Sequence, residues 1–70
     1  MEYKELQIKE EFIKLDSAMK LVSLVVTGGH AKMVIQEGEV KVNGEVCTMR
    51  GKKLRKGDKV EFDNSGFIIV

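Results

Sequence analysis

The sequence has very few of the residues on which enzyme and metal chemistry depends. Its 70 residues include one cysteine, one histidine, one tyrosine and no tryptophan. A disulfide needs two cysteines and a closed zinc site needs four ligands, so neither can stabilise this chain. A catalytic histidine needs a nucleophile or a carboxylate partner, and the sequence indicates none for His30. We therefore expect no enzymatic activity, no bound metal and no cofactor.

Long hydrophobic runs are also missing. The apolar stretches Leu24–Val26 and Phe67–Val70 are far shorter than the roughly 20 residues of a membrane span. The N-terminus lacks the apolar segment of a signal peptide, and Met1 is typical of a native start. We expect a cytoplasmic protein that forms a single domain over residues 1–70, acts as a monomer and does not contact a membrane.

Charge is distributed unevenly along the chain. The net charge is +1, but residues 41–59 contain seven basic and two acidic residues, so this segment carries +5 and the remainder −4. We call residues 50–59 the basic loop; its only large apolar residue before the following strand is Leu54. A positive pole on a nearly neutral protein favours contact with a polyanion. The alternative is a solvated lysine-rich loop.

The predicted order of secondary structure is β–α–α–β–β–β–β. Asp16 is the predicted N-cap of the first helix, and Thr27 and Gly38 mark the start and end of the second. The predicted buried stripes are Leu15, Ala18, Met19 and Val22 in the first helix, and Ala31, Val34 and Ile35 in the second. Gly28 and Gly29 in the first turn of the second helix expose bare amides to which an anion could bind, or allow two helices to approach closely.

Strands are predicted over Tyr3–Ile8, in a hairpin over Val40–Cys47, and near the C-terminus over 59–62 and 67–70. The dipeptide Asn43-Gly44 is a strong signal for a two-residue hairpin turn. The register that it sets pairs Val42 with Glu45 and Lys41 with Val46, and turns three side chains toward the core: Val40, Val42 and Cys47. We expect the first and last strands to lie in one sheet.

The sequence has few aromatic residues on which a nucleic-acid base could stack. We expect three of the four aromatic residues to lie in the core: Phe12, Phe62 and Phe67. Without a stacking platform, sequence-specific reading of single strands is disfavoured, and recognition of the shape and backbone of a folded nucleic acid fits better.

Several of these features occur together in one known family. The chain resembles the RNA-binding domain named after small-subunit ribosomal protein four, also called the alpha-L motif, over about residues 12–62. The segments that carry the resemblance are Lys14-Leu15-Asp16, the paired helices with Ala31 and Val34-Ile35, Gly38, Val40-Lys41-Val42-Asn43-Gly44, and Leu54 with Gly57-Asp58. The segments Gly28–Lys32 and Arg50–Lys53 are similar to those of the small stand-alone bacterial members, the YaaA type.

The resemblance implies an α+β alpha-L fold, in which two short helices pack on a small, mostly antiparallel sheet of about four or five strands. It also implies non-catalytic binding of structured RNA, ribosomal RNA in particular, and a role in ribosome assembly or ribosome-associated quality control. The implied contacts lie at the start of the first helix, on the second helix and in the basic loop: Lys14, Lys20, Thr27, Gly28, Gly29, His30, Lys32, Arg50, Lys52, Lys53 and Arg55.

Two positions depart from the pattern of many family members. Thr27-Gly28 stands where many have Ser-Arg, and Lys14 stands where many have Arg. A lysine cannot form the two-pronged contact of a guanidinium with phosphate, so we expect RNA affinity either to depend more strongly on the basic loop or to be weaker. His30 could donate to a phosphate or stack on a base, or it could be an ordinary exposed polar residue.

Two other functions compete with RNA binding as interpretations of this sequence. A small adaptor could use the same basic surface on an acidic protein, and nuclease treatment of a pull-down would separate the two, because a partner bridged by RNA is lost. A ubiquitin-like sulfur carrier is also short and rich in strands, but it ends in Gly-Gly. This chain ends Phe67-Ile68-Ile69-Val70, so the carrier is rejected.

Overall fold

The Asn43-Gly44 turn sets the register of the central strands. In the computed structural model, which describes residues 3–70, Asn43 and Gly44 have φ of 53° and 87°, the left-handed values that a two-residue hairpin turn requires. The turn joins β3 (Val40–Val42) to β4 (Glu45–Val46). Lys41 pairs with Val46 and Val42 with Glu45, which confirms the predicted register.

The main sheet has five strands in the order β1-β7-β6-β3-β4. The first strand, β1 (Tyr3–Leu6), pairs in parallel with the last, β7 (Ser65–Ile69), and β6 (Lys59–Phe62) pairs antiparallel with β7 and β3. The first and last strands therefore share a sheet, as predicted. Strand β7 begins at Ser65 rather than at Phe67, because a two-residue turn formed by Asp63 and Asn64, with φ of 52° and 62°, already reverses the chain.

Two short helices, α1 (Leu15–Leu21) and α2 (Gly28–Gln36), cover one side of this sheet. The predicted stripes on both helices are buried, and they form one core with side chains of β3, β6 and β7. The hydroxyl of Thr27 accepts a hydrogen bond from the His30 amide at 3.1 Å, and Gly38 has a φ of 78°. The predicted start and end of α2 are thus confirmed.

The predicted N-cap of α1 is wrong. The helix begins at Leu15, its N-cap residue is Lys14, and no side chain caps it. The Asp16 carboxylate instead accepts a hydrogen bond from the Ser17 amide at 2.7 Å. The amides of Leu15 and Asp16 donate to backbone carbonyls of the basic loop, so the loop satisfies donors that a side chain satisfies in an isolated helix.

A second, two-stranded sheet was not predicted from the sequence. It pairs β2 (Ile13–Lys14) antiparallel with β5 (Lys53–Leu54). Leu54 is fully buried and Ile13 packs against the core from its edge, so this small sheet attaches the basic loop to the segment that leads into α1. No helix within residues 3–70 is both long and apolar enough to cross a bilayer.

The three phenylalanines lie in different environments. Phe67 is fully buried, Phe62 is half-buried and packs against the core, and the half-buried Cys47 does so too. The prediction that Phe12 belongs to the core is wrong: Phe12 is half-buried and lies outside the core cluster. The reason is strand alternation, because Ile13 takes the inward position and its neighbour must face the other way.

Gly66 provides a test of the packing between β1, β6 and β7. A Cβ at this position would lie 2.7 Å from the Tyr3 ring and 2.8 Å from the Val60 carbonyl oxygen. We expect Gly66→Ala to lower the free energy of unfolding by about 1–3 kcal/mol, measured by urea unfolding followed by circular dichroism. The matched control is Gly51→Ala, where a Cβ would meet nothing within 4 Å; we expect a change within about 0.5 kcal/mol. Equal stability of the two variants would contradict this packing.

Candidate nucleic-acid interface

The two strands of the small sheet carry basic side chains on their outer side. Ile13 pairs with Leu54 on the inner side, and Lys14 lies directly opposite Lys53. Arg55 follows Leu54 and faces outward with Lys53 by strand alternation. All three basic residues are exposed, and we call them the basic strand pair: Lys14, Lys53 and Arg55.

The start of α1 is fixed to the basic loop by two backbone hydrogen bonds. The Leu15 amide donates to the Lys52 carbonyl at 2.9 Å, and the Asp16 amide donates to the Arg50 carbonyl at 3.1 Å. These amides are therefore satisfied within the protein and are not open to an external anion. Their effect is to hold Arg50 and Lys52 beside the first helix.

A hydrogen-bonded network around Asp58 closes the basic loop onto the hairpin. The Asp58 carboxylate accepts from the Arg55 amide at 2.8 Å and from the Asn43 side-chain amide at 3.1 Å. The Asn43 side-chain oxygen accepts from the Lys59 amide at 2.9 Å, and the Asn43 amide donates to the Lys59 carbonyl at 2.8 Å. The two motifs that contain Asn43-Gly44 and Gly57-Asp58 are thus joined directly.

The pKa of Asp58 reflects these contacts. Partial burial acts to raise the pKa, but the hydrogen bonds from the Arg55 amide and the Asn43 side chain, together with the charges of Lys52 and Arg55, outweigh it. The net result is a pKa below the ordinary value of an aspartate. The folded protein therefore favours the ionised carboxylate.

The start of α2 forms a second basic region. Gly28 and Gly29 are exposed, and within residues 3–70 no group accepts a hydrogen bond from their amides. The Lys20 ammonium lies 3.9 Å from the position that a Cβ on Gly28 would occupy. Lys32 is one helical turn beyond Gly28 and so shares its flank of the helix. Two lysines therefore stand near the end of α2 at which the helix dipole is positive.

His30 lies on the other flank of α2. It is separated from Lys32 by about 200° around the helix axis. The pKa of the exposed Glu39 is raised, chiefly by interaction with the neighbouring Glu37 carboxyl, then by slight desolvation and by the charges of Glu37 and Asp63, while His30 acts to lower it. His30 is therefore within electrostatic range of Glu39, which is itself close to the carboxylates of Glu37 and Asp63.

Ten of the eleven predicted residues fall into two groups that α1 connects. One group is the basic strand pair with Arg50 and Lys52, at the start of α1. The other comprises Lys20, Thr27, Gly28, Gly29 and Lys32. Helix α1 links the two groups. The Asp16 amide donates to the Arg50 carbonyl of the first group. One turn further along the helix, Lys20 lies beside Gly28 of the second group. His30 is set apart from both groups.

Sequence reasoning missed the side-chain hydrogen bonds of Asn43 and Asp58, and the contacts of Phe12 with two cations. Phe12 has the Lys53 ammonium 4.8 Å and the Arg55 guanidinium 5.9 Å from its ring centroid. The signal was present in the two triplets Phe12-Ile13-Lys14 and Lys53-Leu54-Arg55, each with an aliphatic residue at its centre. Read as short strands, both triplets place their flanking residues on one face.

Comparison with known proteins identifies the family. A family model described as the S4 domain matches residues 6–70. The chain belongs to the S4 domain family. The S4 domain of this chain is 41% identical over 61 residues to a protein of Bacillus subtilis named "Probable ribosome maturation protein RlbA", covering 87% of this chain and 86% of that one.

A solved structure shows the same fold. The solution structure of YbcJ from E. coli, described as an alpha-L motif involved in RNA binding, superposes with a TM-score of 0.76 at 30% identity and covers 100% of this chain and 90% of that one. The predicted α+β alpha-L fold, with two helices on a mostly antiparallel five-stranded sheet, is therefore confirmed.

The Asp58 network can be tested through the pH dependence of stability. The Asp58 carboxylate accepts hydrogen bonds through both oxygens, but an asparagine side chain has only one acceptor oxygen, and its NH₂ group would face one of the two N–H donors. We therefore expect Asp58→Asn to lower the free energy of unfolding by about 1–2 kcal/mol at neutral pH. The pKa of Asp58 is lower in the folded than in the unfolded state, so the ionised carboxylate stabilises the fold. This contribution to the free energy of unfolding is fully present above the unfolded-state pKa of about 3.9, and it is lost as the pH falls through the folded-state pKa. The stability difference between wild type and variant should therefore shrink on acidification below about pH 4.

The control for this prediction is Asp63→Asn. Asp63 lies in an exposed hairpin turn with a φ of 52°, a backbone conformation that asparagine tolerates well. The variant removes the same charge, and we expect the free energy of unfolding at neutral pH to stay within about 0.5 kcal/mol of wild type. Urea unfolding by circular dichroism between pH 2 and 7 measures both. A pH-independent difference for Asp58→Asn would contradict the network.

Proposed function

We propose that this S4 domain binds structured RNA, ribosomal RNA in particular, without catalysing a reaction. The RNA backbone contacts the basic strand pair, Arg50 and Lys52 in the loop, and the start of α2 with Lys20 and Lys32. The whole chain acts as one RNA-binding domain, as a monomer in the cytoplasm, and serves ribosome maturation.

The pairing of Lys14 with Lys53 is the observation that carries this proposal. Like charges directly opposite each other on paired strands destabilise a sheet, so the arrangement costs the isolated protein stability. A phosphate between or above the two ammonium groups removes the repulsion and turns it into attraction. The basic strand pair is therefore an arrangement that a polyanion stabilises.

The start of α2 supports the same conclusion. A lysine near the N-terminus of a helix lies at the wrong end of the helix dipole, which favours anions there. The Lys20 ammonium nevertheless lies beside Gly28. An RNA phosphate at this position would be attracted both by Lys20 and by the exposed amides of Gly28 and Gly29.

The relatives support the choice of RNA over an acidic protein. The chain belongs to the S4 domain family. The similar YbcJ structure is described as an alpha-L motif involved in RNA binding, and the similar B. subtilis protein is named a probable ribosome maturation protein. Contacts with phosphates carry little sequence information. Recognition then depends on the shape of a folded RNA, to which two separated basic groups can bind at once.

Paired charge removal tests whether the interface is oriented. Lys52→Gln with Lys53→Gln should weaken binding to a folded stem-loop of ribosomal RNA at least tenfold, about 1.4 kcal/mol, because both lie in the interface. Fluorescence anisotropy with a labelled RNA measures the affinity. Melting temperatures should stay within a few degrees of wild type, since these are exposed positions.

The control removes the same charge from elsewhere on the surface. Lys4 lies on the edge strand β1, and Lys41 is exposed on β3, opposite Val46 and Glu61. Lys4→Gln with Lys41→Gln should change affinity less than about threefold. Equal losses from the two pairs would leave only non-specific attraction. No loss from either pair would favour an acidic protein as the partner.

Salt dependence tests the phosphate contacts separately. If four or five phosphates are contacted, the logarithm of the association constant should fall against the logarithm of salt concentration with a slope of about −3 to −4.5. The Lys52, Lys53 double variant should make the slope shallower by about one to two units. A flat dependence for the wild type would rule out the basic surface as the contact.

A further inference from the structure

Phe12 is an aromatic residue that neither the core nor the fold explains. It is half-buried, it lies outside the core cluster, and its inward-facing neighbour Ile13 supplies the contact with the core. Its ring lies under two cations, with the Lys53 ammonium 4.8 Å and the Arg55 guanidinium 5.9 Å from the ring centroid. Both distances are within the range of about 6 Å in which an aromatic face attracts a cation.

We propose that Phe12 is a positioning residue for RNA binding, acting through Lys53 and Arg55 rather than touching the RNA as a base-stacking platform. Its ring holds the two cationic groups in place on the surface before the RNA arrives. This role rests on the proposed function, because it presupposes that these two cations contact RNA.

The register of the small sheet makes this arrangement specific. Ile13 pairs with Leu54, so continuing the antiparallel register one step places Phe12 opposite Arg55. Lys53 is then the diagonal neighbour of Phe12 on the same face, a separation that an aromatic ring and a long side chain can bridge. The register therefore brings both cationic side chains within reach of the ring.

Two physical effects follow from the ring. Lysine and arginine side chains have many rotamers, and fixing them on binding costs conformational entropy. A ring that already restricts them reduces that cost. In addition, Lys14, Lys53 and Arg55 repel one another, and without a counter-contact their charged ends would spread apart. The negative face of the Phe12 ring offsets this repulsion without neutralising any charge, as a carboxylate would.

Substitutions of Phe12 distinguish the effect of its aromatic ring from the effect of its apolar volume. Phe12→Leu keeps an apolar side chain and removes the aromatic face, so we expect RNA affinity to fall about three- to tenfold. Phe12→Tyr keeps the ring and should bind within about twofold of wild type. The matched control is Phe62→Leu, at another half-buried phenylalanine that packs against the core; it should lower the melting temperature while the folded protein retains its RNA affinity.

A double-mutant cycle shows whether Phe12 acts through the two cations. In a Lys53→Ala, Arg55→Ala background the ring has nothing to position, so adding Phe12→Leu should change affinity less than about 1.5-fold. If Phe12→Leu costs as much affinity in this background as in the wild type, the ring contacts RNA directly or supports the fold, and the positioning role is overturned.

A measurement without RNA separates this inference from the proposed function. In wild type and Phe12→Tyr, the ring should shift the NMR signals of the Lys53 ε-methylene and Arg55 δ-methylene protons upfield, and Phe12→Leu should abolish the shift.

If the shifts are absent in wild type, the positioning role fails even though RNA binds. If wild type binds and Phe12→Leu binds equally tightly, only the positioning role is overturned. If wild type binds no structured RNA, the proposed function fails and the positioning role with it, whatever the shifts.

Discussion

One carboxylate holds the basic loop in its folded shape. Asp58 accepts from the Arg55 amide within the loop and from the Asn43 side chain in the hairpin turn, and Asn43 in turn is bonded to both backbone groups of Lys59. A segment with this density of positive charge tends to expand, since its charges repel. The ionised Asp58 opposes that tendency at the point where the loop rejoins the sheet, so the placement of the cations depends on a residue that need not touch RNA.

The first helix depends on the same loop. With seven residues, α1 is too short to be stable alone in water, and it has no side-chain cap. Carbonyls of Arg50 and Lys52 accept hydrogen bonds from its first amides. In the same loop, Leu54 of β5 is buried in the core. The helix start and the loop thus satisfy each other's backbone groups, so each stabilises the conformation of the other.

Apart from the shared sheet of the first and last strands, the features that could be predicted from the sequence are those encoded within a few residues. The Thr27 cap, the Gly38 stop, the Asn43-Gly44 turn and the helix stripes each depend on local chemistry, and the structure confirms them. The small sheet could not be predicted in this way, because each strand has two residues and its partner lies about 40 residues away. The same long-range contact explains the two errors beside it: loop carbonyls replaced Asp16 as the cap of α1, and alternation about Ile13 turned Phe12 outward. The opposite placement of His30 and Lys32 follows from helical geometry, whereas the acidic surroundings of His30 include Asp63 of a distant turn and could not be predicted from local sequence.

The distribution of charge around α2 bears on the orientation in which the proposed RNA partner approaches. Lys20 lies beside Gly28 and Lys32 shares its flank, whereas His30 is within electrostatic range of Glu39, close to which lie the charges of Glu37 and Asp63. The domain measures 28 × 24 × 20 Å, and the screening length at physiological ionic strength is about 8 Å. Each flank therefore acts on a nearby phosphate almost independently of the other. A net charge of +1 would give weak attraction if it were spread evenly, but the charges are separated. Under the proposed function, the basic side attracts an RNA backbone while the acidic residues repel it, so both attraction and repulsion orient the RNA.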